Sequence, residues 1–289
     1  MAPISEASVV VQPASPTGGS VALVSIPPRV RAVLVFLAHV SPLLATGLVY
    51  ELLRGLFQHR GSVHVGDLFE LEARLFGVST PSGPRALSEV LANATTPWLD
   101  ALCGLTYFLF LFEVVAAAAY LFFRRSRSSA LELTLGFFFV NLLGWAIWFV
   151  YPAAPPWYVD QYGTGPAVLD VVSSPGGLER VDAWLGLPLA TTFYSKSANV
   201  FGAMPSLHMA YATLVAWVAA RHGGWLRVVT LLYAASMALS AVYLRHHYIL
   251  DVLAGVALAL LVGSIGFALR QRSTAKVEQH SAEAFGERA

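Results

Sequence analysis

Charge is what this chain lacks most. Of its 289 residues only 12% are Asp, Glu, Lys or Arg, about half the density of a soluble domain, where roughly a quarter are charged. Eighteen basic and seventeen acidic side chains leave a net charge of +1. That is too weak a field to steer nucleic acid or an acidic partner, so no nucleic-acid role is expected. Lysine is nearly missing, two against sixteen arginines, a bias that points to a GC-rich bacterial genome. The single cysteine, Cys103, excludes an internal disulfide framework and a cysteine-based zinc cluster. It lies in an apolar run and reads as a buried thiol.

What the chain has instead is apolar length. Hydrophobic residues make up 56% of it, and the mean hydropathy is +0.63. A bilayer core of about 30 Å takes roughly 20 apolar residues of helix. Six segments answer that demand: Ala32 to Leu53, Trp98 to Phe123, Ala130 to Tyr151, Pro205 to Ala220, Trp225 to Leu244 and Tyr248 to Leu269. The expected fold is therefore all-α, a polytopic membrane protein with a six-transmembrane-helix bundle over 29–270. Residues 1–28, with Ala14-Ser15-Pro16-Thr17-Gly18-Gly19-Ser20 near their centre, read as a disordered tail without the basic-then-apolar pattern of a signal peptide. Residues 271–289 read as a polar C-terminal tail.

Positive charge orients the bundle. With the N-terminus inside, 11 of the 18 basic residues fall in short inner segments, including Arg29, Arg31, Arg124, Arg125, Arg127, Arg221 and Arg270. Both termini are then cytoplasmic. Two long connections lie outside. The first, Arg54 to Pro97, contains Leu68-Phe69-Glu70-Leu71-Glu72-Ala73-Arg74-Leu75-Phe76, whose amphipathic spacing suits an interfacial helix. The second, Pro152 to Met204, is rich in Pro, Gly and aromatics, and loops of that length are usually functional.

The polar residues that carry chemistry gather at the outer ends of spans. Phe201-Gly202-Ala203-Met204-Pro205-Ser206-Leu207-His208 opens the fourth span. Proline belongs in a first helical turn, and the free N–H groups behind it suit a phosphate. Gly202 admits a ligand to the backbone, Ser206 adds a hydroxyl donor and His208 overhangs the same place. Tyr243-Leu244-Arg245-His246-His247-Tyr248-Ile249-Leu250-Asp251 turns from the fifth span into the sixth. His247 and Asp251 are four apart, so on a helix they share a face and can hydrogen-bond, the carboxylate orienting the ring as in hydrolase triads. Arg245 suits phosphate oxygens. An aspartate inside an apolar span is costly, and its default reading is functional. Glu113 is nearer mid-membrane and reads as a structural carboxyl, Asn141 as interhelical glue.

Pro-Ser-Leu-His and His-His-Tyr-Ile-Leu-Asp resemble the second and third signature motifs of the type 2 phosphatidic acid phosphatase superfamily. The first motif is absent, and Ala241 stands where the third motif usually has arginine. Tyr151-Pro152-Ala153-Ala154-Pro155-Pro156-Trp157-Tyr158, taken with the two motifs, resembles the inositol phosphorylceramide synthase branch, which shares the missing first motif. The resemblance implies a six-helix membrane enzyme needing no metal and no cofactor. It makes His247 the nucleophile that forms a phosphohistidine, Asp251 its orienting group and His208 the general acid and base. Arg245, Ser206, Gly202 and Lys196 become phosphate contacts, although Lys196 also reads as a solvated charge. Apart from the resemblance, Tyr151 and Trp157 read as substrate-binding residues that shape the lipid or head-group entrance, although the Pro-Pro-Trp segment also reads as a loop stiffener, and Asp100 at the outer end of the second span reads as facing the site. The implied partners are membrane lipids: a phospholipid donor such as phosphatidylinositol and a lipid alcohol such as ceramide. Hydrolysis of a lipid phosphate or polyprenyl pyrophosphate is the alternative. The site would face the extracytoplasmic side of a bacterial cell membrane.

Overall fold

The computed structural model describes residues 27–58, 62–81 and 83–286. Nearly all of the expected N-terminal tail thus lies outside the described residues. The long helices are α1 (Pro28–Leu53), α4 (Pro97–Phe108), α5 (Phe110–Arg124), α6 (Arg127–Val150), α10 (Leu207–Ala220), α11 (Gly224–Tyr243) and α12 (Ile249–Gly286). Between α1 and α4 lie α2 (Gly66–Phe76), the antiparallel strands β1 (Val78–Thr80) and β2 (Gly83–Arg85), and α3 (Leu87–Ala92). Between α6 and α10 lie α7 (Pro156–Tyr162), α8 (Glu179–Leu185) and α9 (Leu189–Tyr194). Among the described residues four helices are long and apolar enough to cross a membrane, and five if α4 and α5 count as one bent span. This is an integral membrane protein, mostly helical.

Helix α10 is the axis of the bundle, packed by α5, α6, α11 and α12, while α1 lies outside against α6. A helix apolar all round belongs in a core, and α10 buries ten of its 14 residues. Small side chains, Ala210, Ala212, Ala216 and Ala219 among them, let its neighbours approach closely. At Gly255 on α12 a Cβ would stand 2.3 Å from the Ser206 carbonyl oxygen, so only glycine admits that contact. Asn141 ties α6 to α10 as interhelical glue: its Oδ1 accepts from the Tyr211 hydroxyl at 2.7 Å.

Three boundaries depart from the sequence expectation. The span predicted as Trp98 to Phe123 bends by 54° between α4 and α5. Leu109 leaves helical geometry there (φ −80°, ψ 0°), and Tyr107 and Phe110 on either side of it both reach the cavity described below. The span predicted from Pro205 begins at Leu207. Ser206 is its cap, accepting from the Met209 N–H at 3.3 Å, because a serine oxygen satisfies a free N–H that proline cannot. Helix α12, expected to end near Leu269, runs on through the polar segment as far as Gly286.

Candidate active site

Backbone hydrogen bonds assemble the motifs. Ala153 sits between His64 and Gly202 in two parallel bridges, its N–H donating to the Phe201 carbonyl at 2.9 Å and its carbonyl accepting from Ala203 at 3.2 Å. The Trp157 N–H donates to the Arg245 carbonyl at 3.0 Å, and Ser206 N–H to the Asp251 carbonyl at 2.9 Å. Three stretches far apart in sequence are thereby laced together at one end of α10. Arg245 makes the sharp turn out of α11 with φ 63°, a left-handed conformation costing a non-glycine residue about 1–2 kcal/mol. Its guanidinium pairs with Asp160 of α7, which clamps the turn to the Pro-Pro-Trp segment. Burial pushes the Asp160 carboxyl up, with Arg245 opposing.

The turn delivers His246 and His247 to a cavity of about 440 Å³, where they meet His208 from the first turn of α10. The His208 and His247 rings lie 6.2 Å apart, centroid to centroid, close enough for one phosphoryl group to touch both. His247 Nδ1 donates to the Ala203 carbonyl at 2.9 Å. A carbonyl can only accept, so Nδ1 carries the proton of this bond and Nε2 is the nitrogen left to meet a ligand. His246 belongs to a stack of four rings, in the order His208, Tyr107, His246, Tyr194, with centroid spacings of 4.2, 4.8 and 4.8 Å. Burial, and then the neighbouring His247, push His246 down to about 3, with the Pro175 carbonyl opposing. It is neutral at pH 7.

Of the candidate site residues named from the sequence, the cavity brings together His208, His247, Gly202 and Trp157. Asp251 lies behind His247, but the Ala203 carbonyl takes the hydrogen bond that the spacing assigns to it. Asp251 Oδ2 is 3.7 Å from the ring nitrogen and accepts the Tyr248 N–H at 2.8 Å. The reason is that α12 starts at Ile249, so His247 is not on the helix and the four-residue spacing does not align the pair. Arg245 is occupied by Asp160, and Ser206 is fully buried as a helix cap. Lys196 is exposed, its carbonyl accepting from Arg54 at 2.7 Å. Tyr151 stacks on His64 at 3.8 Å. Asp100 pairs with Arg180 at 2.7 Å and accepts from the Tyr243 hydroxyl at 2.9 Å, tying α4 to α8 and α11. None of these six lines the cavity.

Two residues outside the sequence motifs also matter. Asn199 lines the cavity, and both its amide atoms are buried without a partner. It lies over Gly202, where a Cβ would be 2.1 Å from its Nδ2, so the glycine makes room for the amide. The other is Glu72, fully buried in the amphipathic helix α2. Its two oxygens accept the Ile249 and Leu250 N–H groups at 2.9 and 3.1 Å, which caps α12 beside the histidines with a charge suited to a helix start. Only its position on the inward side of an amphipathic helix marked it in sequence.

The fold is thus a helical membrane bundle with two histidines meeting at one end of a buried central helix. The chain belongs to the PAP2 superfamily, which it matches over residues 68–265. It is similar to the phosphoinositol dihydroceramide synthase of Bacteroides thetaiotaomicron, 37% identical over 202 residues covering 69% of this chain and 66% of that one. It is also similar to the inositol phosphorylceramide synthase catalytic subunit of Saccharomyces cerevisiae, 38% identical over 61% of this chain and 44% of that one. The matched region thus spans between about two fifths and two thirds of these relatives' lengths. Among solved structures it is similar to a PAP2-type phosphatidylglycerolphosphate phosphatase from Bacillus subtilis, at 18% identity and TM-score 0.46, over 79% of this chain and 96% of that one.

Proposed function

We propose that this chain is a lipid head-group transferase. It moves a phosphoryl head group, such as phosphoinositol from phosphatidylinositol, onto a lipid alcohol such as ceramide. The observation that carries the reading is the His208–His247 pair, 6.2 Å apart, with the Nδ1 proton of His247 committed to Ala203. His247 Nε2 attacks phosphorus, the bond to the diacylglycerol oxygen breaks, and His208 gives that oxygen its proton. Splitting the displacement through a phosphohistidine replaces one hard step by two easier ones. The acceptor hydroxyl then loses its proton to His208 and attacks phosphorus, which releases His247. Asp251, 3.7 Å behind the ring, favours the positive charge that His247 carries while bonded to phosphorus. Aromatic walls, among them Tyr107, Phe110, Trp148 and Trp157, help keep water from competing with the lipid alcohol.

In the membrane, α1, the bent pair α4–α5, α6, α10, α11 and α12 form six spans with both termini cytoplasmic. The histidines then face the extracytoplasmic side of a bacterial cell membrane. The basic residues at the ends of α5, α6 and α10 support that orientation.

The test uses purified full-length protein in mixed micelles with labelled phosphatidylinositol and ceramide. The wild type forms a labelled phosphoinositol lipid, and His247→Ala forms none. His208→Ala loses about 10²–10⁴ in rate. Release of phosphate from phosphatidic acid with ceramide unmodified would make the chain a phosphatase instead. Full activity in His247→Ala would remove the nucleophile assignment.

A further inference from the structure

The far end of α10 carries a second recess. Helices α11 and α12 both pack along α10 but scarcely meet each other. A groove of about 510 Å³ therefore opens between them, floored by α10. Along most of its length the lining is apolar, with Leu231 and Leu260 themselves 51% and 39% exposed. One end is cationic, where Arg221 and Arg227 stand.

Several donors at that end are unpaired. Trp217 Nε1 and Arg221 Nε and Nη1 are buried from water and have no hydrogen-bond partner, and neither has the Thr213 hydroxyl. The first three can only donate. The Glu132 carboxylate of α6 is shared between two guanidiniums, Arg221 on one oxygen and Arg270 at 3.3 Å on the other. Arg227 adds a third positive charge, exposed at the rim, its Nε donating to the Ala220 carbonyl at 3.1 Å. The Arg221 guanidinium lies 5.9 Å over the Trp217 ring and 4.9 Å over Phe267, which holds it in place. An anion answers the three unpaired donors and the excess of positive charge.

The length of α10 says which kind of anion. Its 14 residues span about 21 Å at about 1.5 Å each, against a hydrocarbon core of about 30 Å. As a short span it cannot carry both ends to the head-group layers, so with its histidine end at one face Arg221 is recessed from the other, at the end of the apolar groove. Basic pockets between transmembrane helices are where anionic head groups bind.

We propose that this groove binds an anionic phospholipid, at a site separate from the catalytic cavity. Arg221 and Trp217 hold its phosphate, Arg227 guards the rim, and an acyl chain lies against Leu231 and Leu260. A zwitterionic lipid brings its own cation to the same end and binds less well.

The experiment is native mass spectrometry of the purified full chain with phosphatidylglycerol or phosphatidylcholine, together with peptide mapping of a photoactivatable phosphatidylglycerol. Phosphatidylglycerol is expected to bind about tenfold tighter than phosphatidylcholine, with cross-links on 213–231 or 257–267. Because Arg221 also holds Glu132, the variant is Trp217→Phe with Arg227→Gln, which keeps the aromatic packing and that ion pair. It should bind phosphatidylglycerol about tenfold more weakly and phosphatidylcholine as before. Equal affinity for the two lipids, cross-links confined to the catalytic cavity, or a variant that binds like wild type would each overturn the proposal.

Discussion

Acid should destabilise this protein through one side chain. His246 is buried between Tyr107 and Tyr194, and its pKa falls from 6.5 to about 3. Between those values the unfolded chain binds a proton that the folded chain refuses, so stability rises with pH across that window. The contribution is complete above about 6.5 and is lost progressively below it. At about 1.4 kcal/mol per pH unit, going from pH 7 to pH 4.5 costs about 3 kcal/mol through His246. His246→Phe keeps a ring in the stack and removes the titration. The assay is the apparent melting temperature of the detergent-solubilised full chain between pH 7 and 4.5. The wild type should lose more than the variant by about 5–10 °C, taking roughly 2–4 °C per kcal/mol for a chain of this size. Groups that do not face His246 move both proteins alike, so the difference reads this ring together with its coupling to the neighbouring histidines. Parallel curves would refute the assignment of His246 as a buried neutral base.

Two further substitutions test the supports of the site. Glu72→Ala strips two N–H groups at the start of α12 of their acceptor and should cost about 2–3 kcal/mol, read as a lower melting temperature. Glu72→Gln, which keeps one carbonyl acceptor, should recover part of it, and equal melting of all three proteins would remove the cap from the argument. Asn199→Ala should lower kcat/KM for a donor with a hydroxyl-rich head group by about 10–100-fold, since the amide offers both a donor and an acceptor to the cavity. Unchanged kcat/KM would mean that the amide meets no substrate.

The site is built by lacing rather than by local geometry, and this explains which residues could be read in advance. His208 and His247 were legible because histidines at span ends, one after Pro-Ser and one four before an aspartate, have few structural reasons to be there. Cys103 was legible as a buried thiol for the same kind of reason. Arg245 and Ser206 were legible as polar residues beside the site but not in their partners. A guanidinium suits a phosphate and a carboxylate equally, and Asp160 is 85 residues away in sequence. Asn199 was not legible at all, because its meaning lies in what fails to bond to it.

Apolar run length, charge placement and two short motifs therefore determined the membrane bundle, the order of its helices and the histidine pair. Each depends on the composition of a single segment, which hydropathy and helical periodicity express directly. Tertiary structure alone decided that His247 Nδ1 meets the Ala203 carbonyl at 2.9 Å with Asp251 3.7 Å away, that Glu72 caps α12, and that the second apolar span breaks at Leu109. It also placed unpaired donors in a groove at the far end of α10. Those outcomes rest on which donors and acceptors find partners once distant segments pack, and a hydrogen bond formed over about 3 Å between residues far apart in the chain leaves no period or spacing in the sequence.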